Sequence, residues 1–429
     1  MSVGGLLALA ATVATALGQD GRKLTAEADR RLELDLQHYY PAKKLQLTLS
    51  ALATAYSDLV RVESIGKSRG GEAISVVTIA RVNDVDPRDR PGLLVVGCIG
   101  REDLFGAELA LATIWQIAQD NARDAAVARV LDGCTLYIVP CLDPDLRERA
   151  FAEIEGGAAT DPSPRVAELD RNFPSLWDPL RISGTGPYPL SEPEARALAE
   201  FLVARANIAV VQRYRGAGAR AASVSTQWPV ADREAHRRLA AEGLLDGLEA
   251  LEGGEGSWLA FAYLQHGAFV FSQPVSFQSS GPWLLPSVLE LQGLGRTAAS
   301  ATLRLAQALP RIELTTGSPE SLGDGQWSVD VEISNAGRLP TASALGRERV
   351  ACDPPRLSIE GAKLIGTAVV RDGIAEPVAC EPALVALDEI AGAAQLRLRL
   401  FVSAPSEATL TLTVVAPRAG RASASVLVR

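Results

Sequence analysis

Leu93-Leu-Val-Val-Gly-Cys-Ile-Gly-Arg-Glu-Asp103 is an apolar run that breaks at a glycine and turns acidic. The unbroken apolar residues before Gly97 have the texture of a strand buried on both faces, as at the centre of a parallel sheet. Beyond the turn, residues 104–119 (LFGAELALATIWQIAQ) repeat apolar side chains at helical spacing. Strand, glycine turn and amphipathic helix are the repeating unit of an open α/β sheet, whose ligand sites gather beyond the C-terminal strand ends. Residues 100–103 stand at that place.

The same rhythm runs from about residue 36 to 309. Thr135-Leu-Tyr-Ile-Val-Pro140 reads as a second buried strand. Ser191 and Glu194 predict a capping box at the start of a helix, with Pro193 tolerated in its first turn. Residues 232–250 and 297–308 predict further helices. After Pro310 the texture changes. Trp327-Ser-Val-Asp-Val-Glu-Ile333 and Gln395-Leu-Arg-Leu-Arg-Leu400 alternate strictly, Ala408–Val415 is rich in β-formers, and Asp324-Gly325 and Asn335-Ala-Gly337 mark turns. The pattern predicts an all-β sandwich over 310–429 following an α/β domain over 19–309.

The chain has 429 residues, 47% of them hydrophobic and 22% charged, which suits a multi-domain globular protein. A formal charge of −9 argues against a nucleic-acid or anionic-membrane partner, since both need a basic face. Residues 1–18 carry an apolar run too short to be a comfortable span, ending in Ala16-Leu17-Gly18. That is the form of a secretory signal peptide, although its start lacks Lys or Arg, and a buried N-terminal helix would look similar. The expectation is an exported protein (periplasmic, extracellular or cell surface) with no transmembrane span. Among five cysteines, Cys352 and Cys380 are the candidates for a disulfide; Cys98, Cys134 and Cys141 lie in apolar runs and read as buried small hydrophobes.

Several phrases, taken in order, resemble the zinc metallocarboxypeptidases of the carboxypeptidase A-like family. Tyr39-Tyr-Pro and Ile65-Gly-Lys-Ser-Arg-Gly-Gly71 resemble its opening. Gly97–Asp103 is similar to Gly-x-Ile-His-x-x-Glu, and Ile138-Val-Pro-Cys-Leu-Asp-Pro-Asp145 to Ile-x-Pro-x-x-Asn-Pro-Asp-Gly. Glu168-Leu-Asp-Arg-Asn-Phe-Pro174 resembles Asp-Leu-Asn-Arg-Asn-Phe-Pro, and Gly184–Glu194 ends in the family's Ser-Glu-Pro-Glu. The resemblance spans roughly residues 36–300. It implies a mixed, eight-stranded-type sheet with helices on both faces. It also implies a His₂Glu zinc site with an open position, the arrangement for which carboxypeptidase A is the type example. A late Glu would serve as general base, and an Asn-Arg pair would grip the substrate carboxylate.

This chain departs from the pattern at each functional position. Gly100 stands for the first His and Asp103 for the Glu. The second His should end the strand Asn207–Arg215, where Arg215 stands, or Arg213 if the register is two residues off. A guanidinium has no lone pair to offer, and at about 4 Å from a dication it costs on the order of 8 kcal/mol at an effective dielectric of ~20. That offsets most of a zinc affinity of ~10–16 kcal/mol. The general-base position falls near Gln273 and Pro274, with no carboxylate between Glu255 and Glu290. Arg171 stands at the carboxylate-binding position beside Asp170 instead of Asn. His38, His236 and His266 are the chain's only histidines, with His236 reading as solvent-facing.

These departures predict that Arg215 fills the vacated position, paired with Asp103 and perhaps Asp170, unless it points to solvent. The expected function is that of a pseudoenzyme without cofactor, a peptide- or protein-binding or surface-binding module. An active, zinc-dependent carboxypeptidase with a rearranged metal site is the alternative. In a third reading, the β-sandwich binds a surface polymer and the α/β domain supports it.

Overall fold

A computed structural model describes residues 34–35, 38–156, 167–180, 183–216, 228–250, 256–278, 283, 285–349, 351–371 and 374–429. The expected leader, residues 1–18, lies outside the described residues.

The α/β part contains α1 (Ala42–Ala55), β1 (Val60–Lys67), β2 (Ala73–Ile79), β3 (Gly92–Val96), α2 (Gly106–Arg123), α3 (Ala125–Gly133), β4 (Thr135–Val139) and α4 (Pro144–Ile154). It continues with α5 (Pro193–Val203), β5 (Ile208–Arg215), α6 (Val230–Ala241), β6 (Glu249–Ala250), α7 (Trp258–Leu264), β7 (Phe269–Pro274) and α8 (Val288–Ala308). Among the described residues the sheet has seven strands in the order β1-β2-β4-β3-β5-β7-β6. The central β4, β3, β5 and β7 are parallel, and the outer pairings are antiparallel. This is the mixed sheet that the motifs implied.

Helices cover both faces because the central strands carry apolar side chains on both. Leu93, Val95, Val210, Phe269 and Phe271 share one cluster with α1, α2 and α8, whereas Leu94, Val96, Val211 and Val270 share another with α5 and α7. The chain then enters β8 (Ile312–Thr316). Two antiparallel sheets follow: one of β8, β9 (Glu320–Gly323), β10 (Gln326–Asn335), β12 (Lys363–Arg371), β13 (Ile374–Val378) and β15 (Gln395–Ser403), the other of β11 (Arg356–Glu360), β14 (Leu384–Ala386), β16 (Thr409–Ala416) and β17 (Gly420–Leu427). Val329, Val331 and Leu400 of the first sheet and Leu357, Leu410 and Leu412 of the second meet in a single apolar cluster. Their inward faces alternate with polar outward ones, as the sequence pattern requires.

The two parts are fastened by polar contacts. Asp232 of α6 accepts hydrogen bonds from the Ala344 and Leu345 backbone N–H groups at 2.7 and 3.2 Å. Buried Arg418 donates to the carbonyls of His266 and Gly267.

Four expectations change, the first being that the helix expected over 232–250 is α6, which ends at Ala241 before the chain returns as strand β6. Helix α5 begins at Pro193 with no side-chain cap. Ser191 Oγ is taken by Asn172, and Glu194 accepts instead from the Arg69 N–H, so the capping box does not form. His236 is buried, not solvent-facing: its side of α6 packs on Trp228, Phe269 and Phe271, while Arg237 and Arg238 point outward. Cys352 and Cys380 are not bonded to each other; both are free thiols.

Candidate functional site

Beyond Val96 the chain passes through Gly97 and Cys98 into a single 3-10 turn, Arg101–Asp103, that leads into α2. Asp103 fixes this turn. Its Oδ1 accepts from the N–H groups of Ile99 (3.0 Å) and Gly100 (2.8 Å), while Oδ2 makes no hydrogen bond. The residue is fully buried, and desolvation pushes its carboxyl up to about 8, against the opposing pull of Arg213. Asp103 is thus a largely neutral, inward-facing acid at neutral pH.

Gly100 has a steric role. A Cβ there would come within 2.9 Å of Glu102 Oε2. The space that a side chain at 100 would need is therefore occupied by the Glu102 carboxylate, which folds back toward β5. The next strand makes a matching concession at Gly216, where a Cβ would stand 2.1 Å from the Glu102 carbonyl oxygen.

The cation opposite these acids is Arg213. It lies on β5 beside Ser272 of β7, and its guanidinium is buried. Nη1 donates to Asp170 Oδ2 at 2.5 Å, and Nη2 lies 3.5 Å from Glu102 Oε1. Desolvation disfavours the charge, but Asp170, Asp103 and Glu102 together outweigh it and hold Arg213 cationic. Asp170 is itself fixed by accepting from the Trp258 N–H at the start of α7, 3.2 Å away. One guanidinium thus draws together the β3–α2 turn, the 3-10 turn Leu169–Arg171 and the first turn of α7.

The sequence placed Arg215 in this role, paired with Asp103 and perhaps Asp170, with Arg213 as the alternative register; here it is Arg213 that stands among these acids, and its partners are Asp170 and Glu102 rather than Asp103. The two share a strand face, but Arg215 lies two residues nearer the strand end and pairs with Glu249 of edge strand β6. Arg171 and Asp170 do not act on one another. Arg171 bonds Glu168 (3.0 Å) and the Ser183 carbonyl (2.8 Å), and Asp170 turns to Arg213. Neighbouring Asn172 is fully buried and bonds Thr185, Tyr188, Ser191 and Glu192, so it braces the loop.

Gln273 accepts from Gln212 Nε2 at 3.1 Å on the opposite face of the sheet from Arg213, while Pro274 ends β7 opposite Arg215. Neither offers a carboxylate. His266 is buried and bonds the Ile208 carbonyl (3.1 Å), and its proton affinity falls to about 3, mainly by desolvation and then by Arg418. Glu102 is the site residue that sequence reasoning missed. Its signal was the missing side chain at Gly100, which frees the volume into which a residue two positions on can fold.

The donor set does not fit zinc. Position 100 has no side chain. The one bonded oxygen of Asp103 is engaged by two N–H groups, and the third position is a cation held charged by three acids. No zinc-dependent step can be derived from these residues. Among the described residues no group of three His, Cys, Asp or Glu side chains is placed to hold a metal. Three surface clefts, of about 300, 370 and 350 Å³, are lined by residues other than these.

With this geometry in view, the likenesses to known proteins can be placed. Residues 46–243 match the zinc carboxypeptidase family, and residues 311–427 match a domain of unknown function (DUF8731). Human carboxypeptidase D is 26% identical over 180 residues, which is 42% of this chain and 12% of that protein's length. Carboxypeptidase B of Astacus astacus is 23% identical over 192 residues, 41% of this chain and 61% of its own length. The chain therefore spans only a small part of the first of these relatives. The crystal structure of carboxypeptidase A from Helicoverpa armigera aligns with a TM-score of 0.50 at 17% identity, over 68% of this chain and 81% of that one. That likeness concerns the fold.

Proposed function

Residues 46–243 belong to the zinc carboxypeptidase family, and from that premise we propose that this member is a non-catalytic one, an exported module that binds a peptide or protein segment. The observation that carries the reading is the Arg213 guanidinium bonded to Asp170 and set beside Glu102 and Asp103. A salt-bridged cation there is self-sufficient. Its own buried charge is met by Asp170 and Glu102 without a dication, and a dication added beside it would meet about 8 kcal/mol of repulsion at 4 Å and an effective dielectric of ~20.

Recognition of a free C-terminal carboxylate is not part of the proposal. Arg171, the guanidinium at the family's position for that contact, is engaged by Glu168 and the Ser183 carbonyl. The centre instead carries more acid than base, and that favours the cationic side chains or amino terminus of a partner segment. Export is proposed on the leader-like pattern of residues 1–18.

The test is direct. The purified chain is incubated with peptides of varied C-terminal residue, with and without added zinc, and the products are weighed by mass spectrometry. The expected result is intact peptide throughout. Zinc-dependent, chelator-sensitive removal of the last residue would overturn the proposal.

A further inference from the structure

The cysteines that the fold brings together are not the ones the sequence nominated. Strands β3 and β4 are parallel with Val96 opposite Val139, and both chains run on past the ladder. Gly97 N–H donates to the Val139 carbonyl (2.9 Å), and the Leu142 and Asp143 N–H groups donate to the Gly97 (3.1 Å) and Cys98 (2.9 Å) carbonyls. Past the matched valines the pairing slips by one residue at Gly97, and Cys98 and Cys141 lie on the neighbouring segments that these bonds hold together. Strand neighbours lie about 4.8 Å apart, within the roughly 4.4–6.8 Å between Cα atoms that a disulfide spans. Both side chains enter the same apolar cluster, both are buried, and both are free thiols in this structure. Cys98 is also held at φ 50°, in the left-handed region that favours glycine.

We infer that Cys98 and Cys141 are a cross-linking site: in an oxidising compartment they form a buried disulfide that staples the turn carrying Gly100, Glu102 and Asp103 to the turn carrying Asp143 and Asp145. The second turn is itself a brace. Asp143 caps α4 through the Leu146 N–H, and Asp145 accepts from Ser68 Oγ and the Gly70 N–H, both at 2.7 Å. A staple here ties the Arg213 centre to the β1–β2 hairpin. The inference does not rest on the absence of catalysis.

The chemistry is ordinary thiol–disulfide exchange. One cysteine thiolate attacks a small-molecule disulfide such as oxidised glutathione and releases one glutathione thiol. The second cysteine displaces the other, so the protein loses two protons and two electrons and two glutathione thiols are produced. In the finished fold both sulfurs are out of reach of a reagent, and burial beside Cys141 keeps the Cys98 thiol protonated. The bond therefore forms while the chain folds.

The full chain is unfolded in urea and refolded in a mixture of reduced and oxidised glutathione. Remaining thiols are then alkylated and the digest mapped by mass spectrometry without reduction. The inference predicts one linked peptide pair, Cys98 with Cys141, with Cys134, Cys352 and Cys380 alkylated. It also predicts that reduction lowers the melting temperature by roughly 5 °C. Cys141→Ser should abolish that reduction-dependent shift and Cys380→Ser should keep it. Recovery of Cys98 and Cys141 as alkylated thiols, or linkage of either to another cysteine, would overturn the inference. The peptide map of the unmutated chain decides the question even if Cys141→Ser does not fold.

Discussion

Arg147 on α4 and Arg213 on β5 are both buried arginines facing carboxylates, yet they are built differently. Each nitrogen of the Arg147 guanidinium is bonded. Nε donates to the Tyr40 carbonyl (2.6 Å), Nη1 to the Leu104 carbonyl (2.8 Å), and Nη2 to Glu108, which also accepts from the Tyr40 N–H. Cation and anion are matched one to one, and both are essentially inaccessible. Arg213 faces three acids, two of which keep about a quarter to a third of their side-chain surface in water. Its Nε has only a 3.5 Å contact with the Tyr214 carbonyl. The first arrangement is a sealed joint between the segment just before α1 and two helices. The second is a charged centre left at the strand ends, where this fold places ligands. Its surplus of acid is divided between an ionised pair and a carboxyl that burial keeps protonated.

The comparison makes graded predictions. Replacing Arg147 with Met should have the largest effect, a loss of about 3–5 kcal/mol of unfolding free energy in urea, because Glu108 is left buried without its partner. Arg213→Met should cost less, about 2–3 kcal/mol, since Asp170 and Glu102 can turn toward water. Equal losses for the two variants would erase the distinction between joint and centre.

Asp103 sharpens the contrast through pH. Its carboxyl titrates near 8 in the folded chain and near 4 when unfolded, so the folded state holds the extra proton between these values. Its contribution to stability is therefore complete below about pH 4 and is lost as pH rises through 8. His236 and His266 act in the opposite sense below about pH 6.5, because burial depresses both. Both histidines are shared with an Asp103→Asn variant, so their contribution cancels in the difference between the two chains read over the window pH 6.5–8. Across it the unmutated chain should lose up to about 2 kcal/mol relative to Asp103→Asn, read as the difference between their urea midpoints at each pH. A constant difference across the window would contradict a neutral Asp103.

The smallest effect belongs to Gly100→Ala. The backbone at 100 is extended (φ −149°) and accepts any residue, but the new Cβ displaces the end of the flexible Glu102 side chain. Stability should change by about 0.5 kcal/mol or less. Arg213 should meanwhile lose its Glu102 neighbour, visible as a repositioned Glu102 side chain in a crystal structure of the variant.

How much of this was legible beforehand depended on the kind of signal. Leu93–Val96 and Thr135–Val139 were readable as central strands because both their faces are apolar. The α/β core and the antiparallel C-terminal sheets followed from period alone. The loss of the His side chain at 100 was equally plain. The choice between Arg213 and Arg215 was not, since residues two apart share a strand face and only the position of the strand end separates them. Helix α6 misled for a related reason. A helix presents neighbouring residues to different sides, so arginines at 237 and 238 said nothing about His236. Glu102 had only the empty side-chain position at Gly100 as its signal, and the meeting of Cys98 with Cys141 depends on cross-strand placement, which no local pattern encodes.

The most direct measurement is zinc titration of the purified full-length chain by calorimetry near neutral pH, beside elemental analysis of the protein as isolated. With Arg213 occupying the centre, the account predicts substoichiometric zinc and no saturable binding heat. One tightly held zinc per chain, lost on Asp103→Asn, would contradict it.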